Sequence, residues 1–156
     1  MLQDLGIYSS KLLKKLIHLY RTHTPNISLE PDALEFLKKA LGKHKLSLIT
    51  DGTPQTQHAK IAALGIEKYF NRIIVTDELG IDCRKPNPAS FKLIQGEIYP
   101  ESFLYIGDNP IKDFIAPNAL NWSTSYRIKR PRSLHYELQT PPYCKEINSL
   151  SKLTFR

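Results

Sequence analysis

Cysteine is scarce in this chain: among 156 residues only Cys83 and Cys144 occur, far apart and without Cys-x-x-Cys spacing. That usage excludes a disulfide framework and a thiolate zinc site, and it suits a reducing cytoplasm. Long apolar runs are also missing, so no segment reaches the roughly 20 residues that a membrane helix needs. The opening Met1-Leu2-Gln3-Asp4 lacks the charged-then-apolar form of a signal peptide. There is no internal repeat and no linker that would divide the chain, which predicts a single core of ordinary size. What is present is an apolar fraction of 41% and a formal net charge of +7. The basic residues are spread through 11–15, 38–45 and 129–132 without interleaved aromatics, the pattern of solvated helix faces. They argue against nucleic acid as a partner, whereas a basic surface attracts phosphorylated small molecules.

Hydrophobic spacing divides the chain into alternating helices and strands. Leu12, Leu13, Leu16, Ile17, Leu19 and Tyr20 recur at helical intervals after Ser9-Ser10, an N-cap pair, which predicts a helix over 10–22. A second helix is predicted over 31–41, with Pro31 in its first turn and Gly42 at its stop. Strands are predicted at 46–49, 72–75, 103–106 and 123–128, and helices at 55–64, 88–95 and 111–120. Beyond Lys129, Pro and polar residues dominate, and 143–150 reads as a weakly patterned tail. Strand alternating with helix is the pattern of a doubly wound parallel α/β sheet.

Three polar clusters fall at the carboxyl ends of predicted strands, the edge where open α/β sheets collect their ligands. After the first strand, Thr50-Asp51-Gly52-Thr53 offers a hydroxyl and a run of backbone N–H groups at a helix N-terminus, a seat for a phosphate oxygen. The same residues also make an ordinary strand-to-helix turn with Thr53 as N-cap. After the second strand, Arg84-Lys85-Pro86-Asn87-Pro88 sets a lysine against backbone stiffened by two prolines. After the third, Tyr105-Ile106-Gly107-Asp108-Asn109-Pro110 turns sharply at Gly107, and Asp113 follows five residues after Asp108. Mg²⁺ wants oxygen ligands and needs few from protein, so Asp108 suffices as its carboxylate, with Asp113 acting through water or holding the loop.

Thr, then Lys, then Gly-Asp on successive strand ends resembles the haloacid-dehalogenase superfamily of phosphohydrolases, over about residues 29–128. Leu46-Ser47-Leu48-Ile49-Thr50 matches its second motif, Lys85-Pro86 its third, and Gly107-Asp108 with Asp113 its fourth. The flanking Ile49-Thr50-Asp51-Gly52 and Lys85-Pro86-Asn87-Pro88-Ala89-Ser90-Phe91 look like the subgroup with a small helical cap. The resemblance implies a residual cap segment at 1–27 and a Rossmann-like core at 28–156. It also implies that Thr50 binds the transferring phosphoryl group with Asp51 and Gly52 around it, that Lys85 neutralises nucleophile and phosphate, and that Asp108 and Asp113 serve Mg²⁺.

The chain departs from that pattern in one respect. The family's first motif, Asp-x-Asp at the end of an apolar strand, supplies the nucleophile and the general acid-base, and no Asp-x-Asp occurs in these 156 residues. Phosphoryl transfer needs a nucleophile aligned in line with the leaving oxygen, so a truncated or split phosphohydrolase, inactive alone and weak for Mg²⁺, is expected. The alternative is a non-catalytic remnant that binds phosphate or a partner. The absent segment would also carry the central strand, between those ending at Thr50 and Asp108. Its place would be filled by an N-terminal complementing chain, by a second copy, or by direct pairing of the two neighbours; the fourth alternative is a truncated product that folds poorly.

Overall fold

The computed structural model describes Gly6 and residues 9–153; the opening residues 1–4 read above lie outside them. Helix α1 (Ser10–Thr22) starts as its spacing predicts, with the Ser9 side chain accepting the Leu12 N–H at 3.0 Å. It buries none of its residues, so its apolar stripe stays largely open. Helix α2 (Pro31–Ala40) begins on Pro31, and strand β1 (Ser47–Thr50) follows. Helix α3 (Pro54–Leu64) ends at Gly65, whose φ of 61° is the left-handed conformation that a helix stop needs. Strand β2 (Arg72–Val75), helix α4 (Ala89–Gln95) and strand β3 (Leu104–Gly107) complete the first half of the alternation.

Two elements differ from expectation. The helix expected over 111–120 is reduced to α5 (Ile115–Ala119), because Asp113 is drawn into the loop, where it accepts hydrogen bonds from the N–H groups of Asp108 and Asn109. The weakly patterned tail contains a strand, β5 (Cys144–Ile147), which extends β4 (Thr124–Ile128) in parallel. Cross-strand pairing with β4, rather than local alternation, stabilises β5.

Among the described residues all pairings are parallel, and they form two sheets: β1 with β2, and β3 with β4 and β5 in that order. Strands β1 and β3 do not pair with each other, so direct pairing, one of the expected alternatives, does not occur. No residue of β1 or β3 is fully buried, whereas Val75 in β2 and Ser125 and Arg127 in β4 are. An interior strand of a parallel sheet is normally covered on both faces.

Hydrophobic clusters lie on both faces, as double winding requires. Leu37, Ile61, Ile66 and Tyr69 form one, against Leu48 and Ile73. Phe91, Ala116 and Trp122 form the other, against Ile49, Phe103 and Tyr105. Neighbours Leu48 and Ile49 thus point to opposite faces, as the period-2 geometry of a strand dictates. The second cluster joins β1 to the β3 sheet without a ladder bond. Phe103 stacks on Trp122 at 4.6 Å, and the indole N–H donates to Gln95 at 2.7 Å. On the other side, Asp32 of α2 accepts from Arg130, Ser149 and the Leu150 N–H, tying the C-terminal segment across to the β1 half.

Candidate active site

The strand-end loops are cross-linked by charge. Asp51, just past β1, accepts from the Thr76 hydroxyl at 3.0 Å, the Lys85 N–H at 3.1 Å and Lys112 Nζ at 2.7 Å. Lys85 Nζ lies 2.8 Å from Asp113 Oδ1. That contact is ionic and not an aligned hydrogen bond, since Oδ1 is buried without a hydrogen-bond partner. The loops after β1, β2 and β3 therefore meet through two ion pairs, one of which is nearly dry: the Lys85 and Asp113 side chains are 11% and 3% exposed.

Each expected site residue has a definite place in this arrangement. Thr50 closes β1 with its hydroxyl donating to Gln57 Oε1 at 2.8 Å. Gly52 has φ 135°, a backbone conformation that favours glycine, and a Cβ there would fall 2.6 Å from the movable end of the Gln57 side chain. Thr53 is at the N-cap of α3 but makes no side-chain cap bond; its hydroxyl donates to Thr56 instead. Asp108 is exposed, 3.4 Å from the Ser133 hydroxyl. Asp113 is 2% exposed; its Oδ2 accepts two backbone N–H groups and its Oδ1 faces the Lys85 ammonium, an arrangement that holds the loop behind Asp108. Gly107 makes this possible, since a Cβ there would meet Asp113 Oδ2 at 2.7 Å.

Two participants had no role in the sequence reading. Lys112 pairs with Asp51 across the loops. Its position next to Asp113 was the available signal, and only the loop turn brings it back over β1. Arg127, in the middle of β4 and fully buried, donates to the backbone carbonyls of Asp108, His135 and Leu138 and to the Thr140 hydroxyl. It anchors the carbonyl of the very residue whose carboxylate faces solvent. No sequence pattern marks a buried arginine with carbonyl partners.

Electrostatics follow from these contacts. Burial pushes the Asp51 carboxyl up, but the hydrogen bonds from Lys112 and the Lys85 N–H, with the two ammonium charges, outweigh it and hold the pKa below 3.8. Burial raises the Tyr105 hydroxyl well above its ordinary value, reinforced by Asp113, Asp51 and Asp108, so it stays protonated. The Cys144 thiol is raised to about 11, chiefly by burial, which leaves it a poor nucleophile at neutral pH. Because the folded-state pKa of Asp51 is depressed, its stabilising contribution is present above the unfolded value and is lost as pH falls through the folded one. Urea midpoints measured from about pH 6 down to about pH 3 are expected to fall less steeply in Asp51→Asn than in wild type. Parallel curves would show that Asp51 is not coupled to folding.

Among the described residues no group of three His, Cys, Asp or Glu side chains could hold a metal. Asp108 presents a single exposed carboxylate, an oxygen donor of the kind Mg²⁺ accepts alongside water, and not the donor set of a zinc site. No helix among the described residues is long and apolar enough to cross a membrane.

Known proteins share this architecture. A glyceraldehyde 3-phosphate phosphatase from Methanocaldococcus jannaschii is 30% identical over 96% of this chain and 65% of its own length. A phosphoserine phosphatase from Thermus thermophilus is 35% identical over 54% of the chain and 34% of its own. The chain thus spans about a third of one relative and just under two thirds of the other. A HAD hydrolase of Bacillus subtilis solved with magnesium superposes with a TM-score of 0.73 at 19% identity, covering 96% of this chain and 64% of that one, a likeness of fold. The family model of haloacid dehalogenase-like hydrolases matches residues 1–125, and the chain belongs to that family.

Proposed function

We propose that the chain carries most of the active site of a Mg²⁺-dependent phosphate-ester hydrolase, and that the aspartate nucleophile, the second aspartate that serves as general acid and base, and the strand that bears them come from outside the 156 residues. The observation that carries this reading is the convergence of the β1, β2 and β3 loops through the Lys85–Asp113 and Lys112–Asp51 pairs, with Thr50 beside them. Thr50 with the Asp51-Gly52 turn receives the phosphoryl oxygens, and Lys85 supplies fixed positive charge. Asp108 holds Mg²⁺ directly, while Asp113 positions that loop and Lys85. When bound, the metal neutralises developing phosphate charge. A phosphorylated small molecule is the substrate class, in keeping with the relatives named phosphoserine and glyceraldehyde 3-phosphate phosphatases. The two free thiols suit a reducing cytoplasm.

The nucleophile and the strand beneath it would enter between β1 and β3, supplied by chain preceding Met1, by an N-terminal complementing chain or by a second copy. Residues 1–27 remain the end of the cap in this reading, with α1 as its described part. The second reading, a non-catalytic phosphate- or partner-binding domain, is favoured by one observation: both site lysines already have carboxylate counter-ions. Titrating Mg²⁺ into wild type and Asp108→Asn tests the metal assignment. Weak binding that the substitution abolishes is expected, and identical responses would overturn it.

A further inference from the structure

At the opposite end of β1 and β2 from the candidate site, the turns entering the two strands line an open cavity of about 370 Å³. Lys43, His44 and Lys45 from one turn and Lys68 from the other line it, together with Tyr69 and Phe70. No Asp or Glu is among the described residues that line it. Lys43, Lys45 and Lys68 are exposed, and none has a carboxylate at ion-pair distance among the described residues. The floor is built and not frayed. The Asn71 N–H donates to Leu46 O at 2.8 Å, and the Leu46 N–H donates to Asn71 Oδ1 at 3.0 Å, a reciprocal clasp between the two turns. Tyr69 is anchored in the first hydrophobic cluster, with Lys68 Nζ 5.3 Å from its ring centre.

Lysines after a helix often serve only to complement its C-terminal carbonyls. Here backbone donors do part of that work: the Leu41 N–H reaches Leu37 O, and the Lys43 and His44 N–H groups both reach Ala40 O. Lys43, Lys45 and Lys68 all line the cavity. Three cations around one concavity raise the local anion concentration, and several charges must be met at once for appreciable affinity.

We infer that this basic cavity, at the amino ends of β1 and β2, is a second anion site that takes a small molecule carrying two or more phosphate groups. A nucleic-acid strand is disfavoured because Tyr69 is buried and offers no platform for base stacking. The site is independent of the strand-end loops and of the hydrolase reading.

Inorganic triphosphate titrated into the 156-residue chain, followed by amide NMR shifts and calorimetry, tests it. Saturable shifts confined to 41–45 and 68–71 are expected, with affinity falling at least about tenfold in Lys43→Ala/Lys68→Ala. Lys11→Ala/Lys14→Ala on α1, which removes equal charge elsewhere, should change affinity less than about twofold. Lys85→Ala should leave these shifts in place, which separates the site from the one proposed above. Equal losses in the two double variants would reduce the effect to net charge, and shifts only around 50–52 and 85 would assign the anion to the other edge. Tighter binding of a single-stranded oligonucleotide than of triphosphate would replace the small-molecule reading.

Discussion

A peptide bearing an apolar strand that ends in Asp-x-Asp, added with Mg²⁺ to the purified chain, is expected to raise aryl phosphate hydrolysis by at least about 10³-fold over the chain alone. The effect is large because an in-line carboxylate nucleophile opens a covalent route that Lys85 and Thr50 cannot replace with charge and hydrogen bonds. The structural opportunity is the pair of strands β1 and β3. β1 and β3 run parallel to their own neighbours, are unpaired with each other and are incompletely buried. Contacts on both sides of the interruption join the two half-sheets, through Ile49 in the second cluster and through Asp32 with Arg130 and Ser149. A strand added there satisfies two rows of backbone groups at once, the strand-addition mode of peptide recognition. The melting temperature should rise with the peptide, an Asn-x-Asn version should stabilise without activating, and Asp108→Asn should lose the activity. Robust Mg²⁺-dependent hydrolysis by the chain alone would show that it contains its own nucleophile. A high melting point unmoved by the peptide would favour the binding-domain reading.

Asp113→Ala is expected to destabilise the fold by about 3–5 kcal/mol in urea denaturation, the range for removing one partner of a buried ion pair. The loss strands the Lys85 ammonium and two backbone N–H groups together. Asp113→Asn retains an oxygen for those N–H groups and should cost less. Lys85→Met combined with Asp113→Ala should recover part of the loss, because the stranded charge is then gone. A cost below about 1 kcal/mol for Asp113→Ala would mean that the carboxylate does not hold the loop.

The family and the order of its motifs were legible because each rests on short local patterns. Apolar runs of four or five residues ending in Thr or Gly-Asp become β1 and β3, each shifted by one residue from its expected limits. Gly65 and Ser9 mark helix ends through backbone rules that operate within one turn. The reach of Asp113 was not legible. Its hydrogen bonds to the loop replace the first turn of the helix expected from Ile111, so a tertiary demand overrode helical spacing. β5 escaped notice because its residues alternate poorly, and β4 supplies the pairing that makes it a strand.

The sequence by itself determined the alternation of strands and helices, the candidate residues Thr50, Lys85, Asp108 and Asp113, and the lack of an Asp-x-Asp, since these depend on residue type and near spacing. Tertiary structure alone decided what each carboxylate does. Asp51, expected near substrate, is turned inward onto Lys112, Thr76 and the Lys85 N–H, and Asp113 faces Lys85, while Asp108 is left outward. It also decided that β1 and β3 stand unpaired, with their half-sheets joined by side chains. Pairing and ion-pair geometry join residues dozens of positions apart, and no local pattern encodes which of several carboxylates the folded chain brings against a buried ammonium.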